Sequence, residues 1–354
     1  MICTKEAMFW KKTDSLVQCG LCSHRCKIAD NGKGFCGVRK NEKNVLYSLV
    51  YGKACSVAID PIEKKPLFHF APGSQTLSIS TVGCNFRCDF CQNFEISQPD
   101  EIFGEELPPE KILSMFKSSK ASGISWTYTE PTVFYEYFYD TAKALSLLVK
   151  EKAPGEKRKQ YYNIWVSNGY TTTEALEKAG KLIDAVNVDY KGDEAFYRKH
   201  CLTELEHVQN ALKTYKRLGI WLEITNLLIP GHNDKDEQIK EMVRWILDNL
   251  GQVPLHFSRF FPHHKLRADI TTTEALERAA KIASDIGINY VYIGNLRHEK
   301  ENTYCHNCKE LLIERIGFNV TKLNLEKKGR QYHCPNCNTK TPVAGMQWAS
   351  LIKK

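Results

Sequence analysis

The sequence has no apolar run approaching the length needed to cross a bilayer, and its opening, Met1-Ile2-Cys3-Thr4-Lys5-Glu6, lacks the apolar core of a secretory signal. These absences exclude a helical membrane protein and point to a cytoplasmic chain. A disulfide framework is missing too, because the 14 cysteines of the 354 residues are not spread along the chain. Most are gathered at two- and three-residue gaps, which is metal spacing and requires a compartment that keeps thiolates reduced. A large excess of either charge is also absent: the net charge is +8. The densest basic run, Lys150–Lys159, contains Pro154 and Gly155 and reads as a solvated loop; docking of an acidic protein or nucleic acid is the other reading.

What is present is a strand–helix alternation from about residue 77 to 295. The candidate strands are Leu77–Val82, Gly123–Thr127, Tyr162–Val166, Ala185–Asp189, Trp221–Thr225, Pro254–Phe257 and Asn289–Ile293. Amphipathic helices lie between them. In Glu237–Leu250, Ile239, Met242, Val243, Ile246, Leu247 and Leu250 recur at helical spacing, with Asp234 and Glu237 as a capping box. Pro131 suits the first turn of the helix after Glu130. Thr171–Glu177 recurs as Thr271–Glu277, one helix start used twice. Alternation of this kind predicts parallel strands with helices outside, a full or partial (β/α) barrel. A chain of this length holds one large domain with small additions: a cysteine-rich module over 1–75, the core over 76–298 and a second cysteine-rich module over 299–354.

In such barrels chemistry gathers at the carboxyl ends of the strands. Here those ends carry a cysteine loop, Tyr128-Thr129-Glu130-Pro131, Ser167-Asn168-Gly169, Asp189-Tyr190-Lys191, Glu223-Ile224-Thr225-Asn226, His256 and Gly294-Asn295. A purely structural barrel would not need charged or amide side chains at each of them.

The loop after the first strand holds Cys84, Cys88 and Cys91 in Gly-Cys-Asn-Phe-Arg-Cys-Asp-Phe-Cys-Gln-Asn. A closed structural metal site needs a fourth ligand, which this loop lacks; half of a zinc site is the bland reading. Three thiolates can hold three irons of a cubane 4Fe-4S cluster and leave the fourth open. An open iron can chelate S-adenosylmethionine (SAM) through its amino and carboxylate groups. This arrangement resembles the radical SAM superfamily, in which an electron passed to the sulfonium releases a 5′-deoxyadenosyl radical. Phe90 sits where that family often has an aromatic residue.

The resemblance implies roles for the other strand ends. Glu130 matches the acid of the family's Gly-Gly-Glu-Pro element, which contacts the SAM amino group, although Tyr128 and Thr129 replace the glycines; capping the next helix is its alternative. Asn168 resembles the ribose-contacting Asn of pyruvate formate-lyase activating enzymes, whereas a bare turn would also explain Asn-Gly. Asp189 and Lys191 resemble their Asp-x-Lys, with the lysine on the SAM carboxylate and the aspartate near a monovalent cation; a surface ion pair competes. His256 and His264 are candidates to reach SAM or substrate, or else satisfied core histidines.

Further along the chain, Asp60-Pro61-Ile62-Glu63-Lys64-Lys65-Pro66-Leu67-Phe68-His69-Phe70, Tyr128–Pro131, Leu228–Asp234, His256–Phe260 and Tyr290–Asn295 appear in order. Together they resemble the AmmeMemoRadiSam-system radical SAM enzymes, relatives of the pyruvate formate-lyase activases. That likeness implies a partial radical SAM barrel, an external flavodoxin or ferredoxin as reductant, and Memo-like and AMME-type domain proteins as partners.

Two cysteine groups flank the core. Cys305, Cys308, Cys334 and Cys337 form two Cys-x2-Cys knuckles around strand-like Phe318-Asn319-Val320, a zinc ribbon, with rubredoxin-like iron as the alternative. Cys19, Cys22, Cys26 and Cys36 suit zinc or an auxiliary 4Fe-4S cluster equally by count. Cys3, Cys55 and Cys201 are left over as ordinary buried or free thiols. The expectation is a radical SAM enzyme acting on a protein or other macromolecule. Its alternatives are a glycyl-radical-enzyme activase, radical modification of tRNA (for which no RNA-binding module is evident), and a zinc-dependent interaction protein without catalysis. Residues 92–120 contain no cysteine, so the first alternative would lack a ferredoxin-like insert.

Overall fold

The computed structural model describes residues 4–148 and 161–350; Cys3 and the basic run Lys150–Lys159 lie outside them. Eight strands form one sheet in which neighbours in sequence are neighbours in space. They are β1 (Ser56–Pro61), β2 (Gln75–Ser80), β3 (Gly123–Trp126), β4 (Tyr162–Ser167), β5 (Ala185–Asp189), β6 (Trp221–Leu228), β7 (Leu255–Arg259) and β8 (Val291–Gly294). From β2 to β8 every pair is parallel. β1 runs antiparallel to β2, with Ser56 opposite Ser80 and Asp60 opposite Thr76. Because β1 and β8 end the order without pairing to each other, the barrel is partial.

One principal helix separates each pair of successive parallel strands: α1 (Pro109–Ser118), α2 (Tyr135–Leu148), α3 (Thr173–Ala179), α4 (Leu205–Arg217), α5 (Asp236–Leu250) and α6 (Thr273–Ile286), with short helical turns besides at Phe94–Ser97 and Glu194–Phe196. The helices cover the outer face, so inner strands are buried on both faces and read as near-continuous apolar runs. Of the expected stripe on α5, Ile239, Met242, Val243, Ile246 and Leu250 are buried and Leu247 is half-buried. Its start differs from expectation. Asp234 accepts from Gly231 N at 2.9 Å instead of capping, and Gln238 accepts from Lys235 N at 3.3 Å. The repeated threonine segments also diverge. Thr272 caps α6 by accepting from Ala275 N, whereas Thr172 donates its hydroxyl to Gly20 and Leu21 carbonyls of the first module.

β1 lies in the segment read as the first cysteine-rich module, so a strand of that segment completes the central sheet. The chain from β1 to β2 then crosses the barrel at the beginning of the strands. Asn187 on β5 donates to Pro66 O at 2.8 Å, and Glu223 on β6 accepts from Phe68 N at 3.0 Å and His69 N at 2.8 Å. The same carboxylate accepts from the buried His256 Nε2 at 2.8 Å and from the half-buried Trp221 Nε1 at 3.1 Å. Arg315 of the C-terminal module donates to Phe68 O at 2.6 Å, and Ala344 N donates to His69 O at 2.8 Å. One buried carboxylate thus ties the barrel floor to the tail. Removing it as Glu223→Ala strands four donors and is expected to cost about 3–5 kcal/mol. A lowered urea midpoint at unchanged m-value checks this.

Candidate active site and metal centres

The cysteine loop leaves β2 at the carboxyl edge of the sheet, where three neighbours set its shape. Gly83 (φ +97°) passes so close to the first module that a Cβ would lie 3.0 Å from Cys36 O and 2.4 Å from Val38 Cγ1. Arg87 N and Asp89 N donate to the carbonyls of Cys201 and His200, each at 3.1 Å, so the loop pairs with the turn Tyr197–Cys201 after β5. Lys265 N and Leu266 N donate to Asp89 O at 2.8 Å from the loop after β7.

Around the sulfurs stand donors. Asn168 Nδ2 lies 3.7 Å from Cys84 Sγ and donates to Asn85 Oδ1 at 2.8 Å; Phe86 N is 3.4 Å from Cys84 Sγ. Ser97 Oγ is 3.2 Å from Cys91 Sγ. Burial pushes the thiols of Cys84 and Cys91 up. Cys88 is pushed well up, first by contact with the Cys201 thiol and then by burial. Thiols raised in this way become thiolates when a metal takes the place of the proton.

Lys191 is half-buried, its side chain 12% exposed, with Nζ 2.7 Å from Asp189 Oδ2 and 5.8 Å from the Phe90 ring centre. Burial alone would lower its pKa, but the Asp189 carboxylate and the sulfurs of Cys88 and Cys201 facing it raise it well above the ordinary lysine value. It is therefore a fixed cation beside the loop, suited to a carboxylate.

The structure brings Cys84, Cys88, Cys91, Asn168, Asp189 and Lys191 to one end of the barrel. Glu130 is there as well, but its oxygens are taken by Thr132 N, Thr132 Oγ1, Ser167 Oγ and Asn168 N at 2.6–3.2 Å. It caps the turn Pro131–Phe134 and holds the Ser167-Asn168-Gly169 turn, the alternative that its sequence context left open. His256 is elsewhere. β6 and β7 run on to Leu228 and Arg259, past the expected ends at Thr225 and Phe257, so Glu223 and His256 fall in the lower barrel, bonded to each other and stacked on Tyr292. His264 is near the loop, stacked on Phe94 at 4.5 Å with Nε2 unpartnered among the described residues. Cys201 is the residue that sequence reading passed over, since nothing local marks a contact spanning residues 88 and 201.

The three cysteine groups differ in spacing. The C-terminal four have all their sulfurs within 4.8 Å of one another, with Cys305–Cys337 and Cys308–Cys334 each at 3.6 Å. One ion at about 2.3 Å from four thiolates requires sulfurs about 3.8 Å apart. These four can bind a single metal ion. Among the described residues no other three ligand atoms are gathered so closely, and Cys84, Cys88 and Cys91 form no such group. A cubane needs corners about 6 Å apart, with thiolates under hydrogen-bond donors. The loop's three thiols fit that group. Cys201 lies against Cys88.

Residues 78–246 match the radical SAM superfamily. An uncharacterized protein of Methanocaldococcus jannaschii is 45% identical over 346 residues, covering 96% of this chain and 99% of that one. The chain belongs to the radical SAM superfamily. A second uncharacterized protein of the same organism is 24% identical over 298 residues, covering 77% of this chain and 76% of that one. In fold, this radical SAM chain is similar to a radical SAM methyltransferase from Sphaerobacter thermophilus, with TM-score 0.50 and 13% identity over 83% of this chain and 78% of that one. Likeness at that identity speaks for the fold alone. A radical SAM protein is an enzyme whose fold implies a 4Fe-4S cluster and SAM, and the reading as a barrel without catalysis falls away. Among the described residues no helix is long and apolar enough to cross a membrane.

If Cys201 is a neighbour and not a ligand, Cys201→Ala keeps the wild-type iron content after anaerobic reconstitution and shifts the cluster's reduction potential. Loss of iron on that substitution would make it a ligand.

Proposed function

We propose that this radical SAM enzyme abstracts hydrogen from a protein or other macromolecular substrate. The observation that carries the chemistry is the set of three thiols on one loop beside the Lys191 cation and the Asn168 amide. When bound, the cluster and SAM supply one-electron cleavage of the sulfonium–carbon bond, giving a 5′-deoxyadenosyl radical. The chain's own residues bind and orient. Cys84, Cys88 and Cys91 ligate three irons, and Lys191 meets the SAM carboxylate while Asp189 holds its ammonium in place. Asn168 faces the ribose and steadies Cys84, while Glu130 acts through the turn that carries Asn168. His256 is not assigned a SAM contact.

A macromolecular substrate is supported by the open side of the barrel. β1 ends the sheet there, and its outer face leaves Val57 and Ile59 exposed at 39% and 47%, uncovered by any described helix. The ordered segments from Asp60–Phe70 to Tyr290–Asn295 favour membership of the AmmeMemoRadiSam system, with Memo-like and AMME-type proteins as partners and a flavodoxin- or ferredoxin-type protein as electron donor. Every described cysteine is a free thiol, which suits a cytoplasmic location. The C-terminal sulfurs, spaced for one tetrahedral ion, favour zinc as a structural staple of a tail with a small core of its own.

Anaerobic turnover with a chemical reductant tests the reading. Wild type is expected to form 5′-deoxyadenosine from SAM, and the triple Cys84/Cys88/Cys91→Ala variant none. Lys191→Ala, losing a charge-assisted contact of about 1.5–3 kcal/mol, should weaken SAM binding about 10–100-fold. Wild type that leaves SAM intact, or an unchanged affinity in Lys191→Ala, would contradict the roles given. Cys308→Ala with Cys334→Ala should release one zinc per chain and open the tail to proteolysis, with 5′-deoxyadenosine formation retained.

A further inference from the structure

Cys19 ends the strand Leu16–Cys19, Cys22 and Cys26 occupy the turn after it, and Cys36 precedes the strand Arg39–Glu42. By count alone these four thiols suit zinc and a cluster equally, and geometry separates the two. All four line one pocket together with Arg39 and Thr132, so they face a common centre. Four thiolates on one zinc ion must lie about 3.8 Å apart. The C-terminal group of the same chain meets that requirement at 3.6 Å. Here, among the described residues, no three of the sulfurs come within 4.8 Å of one another. Like Cys84, Cys88 and Cys91 they form no such tight group, and the corners of a cubane, about 6 Å apart, do not require one.

Arg39 is a second, independent observation. It is 2% exposed and lines the cavity, and its Nη2 is bonded to Met8 O and to Glu136 Oε1 at 3.0 Å. Its Nε and Nη1 have no protein partner. A buried guanidinium with unused N–H groups needs acceptors, and a cubane presents four sulfides of its own besides the thiolates, at net negative charge. A backbone donor is also in place: Phe35 N lies 3.4 Å from Cys26 Sγ.

We propose that Cys19, Cys22, Cys26 and Cys36 bind a second 4Fe-4S cluster. Four thiolates fill its corners, so it has no open iron and does not bind SAM. It sits against the SAM-cleaving site: Cys36 O is the atom that a Cβ on Gly83 would approach to 3.0 Å, one residue before Cys84. This inference rests on the cysteines of the first module and not on the identity of the substrate.

The test is metal content and electron paramagnetic resonance of the full chain, reconstituted anaerobically with iron and sulfide. Wild type is expected to hold about eight irons and the triple Cys84/Cys88/Cys91→Ala variant about four, with a reduced-cluster signal that SAM does not alter. Cys22→Ser with Cys26→Ser should remove the same four and leave a signal that SAM does alter. If that variant does not fold, the triple variant still decides, because its first module is intact. A wild type with about four irons and two zincs, or a triple variant without iron, would overturn the proposal. Eight irons with no response to SAM would support the second cluster while contradicting the SAM site.

Discussion

A loop carrying three thiols cannot set its own sulfur spacing, and everything at the carboxyl end of this barrel follows from that constraint. The loop has no ladder within itself, so its backbone donors go to the turn after β5 and its carbonyls take donors from beyond β7. Asn168 reaches it from β4, and the first module presses on it at Gly83. The loop is held by groups from four separate places in the sequence. Its shape is a product of the whole barrel.

The opposite end of the barrel is built from charge in a dry interior. Glu223 gathers donors from β6, β7 and the β1–β2 connection, and Arg315 extends the arrangement to the tail through Phe68 O. Such groups are tolerable only when fully paired. The division of labour is physical: at the floor Glu223 bonds to His256 and to backbone donors, whereas Lys191, Asp189 and Asn168 at the top face the cysteine loop.

Much of this was legible in the sequence, because its strongest signals are local. Seven parallel strands follow from apolar runs alternating with helical periodicity, and cysteine gaps mark each metal group. What was not legible is non-local. β1 reads poorly as a strand, with Val57 and Ile59 facing outward and Pro61 at its end, and it is defined by pairing with β2. Glu223 and His256 were placed at strand ends because two strands run several residues further than their apolar runs suggest. Cys201 gains its meaning only where the chain returns to Cys88. The cysteine count could not separate zinc from a cluster in the first module, since that depends on distances between sulfurs.

The account stands on an iron with no protein ligand that SAM occupies. Electron–nuclear double resonance on the reduced enzyme with SAM labelled at its amino nitrogen measures this directly. A hyperfine coupling from that nitrogen to the cluster, absent in the triple cysteine variant, is the predicted result. A cluster whose spectrum is the same with and without labelled SAM would contradict it.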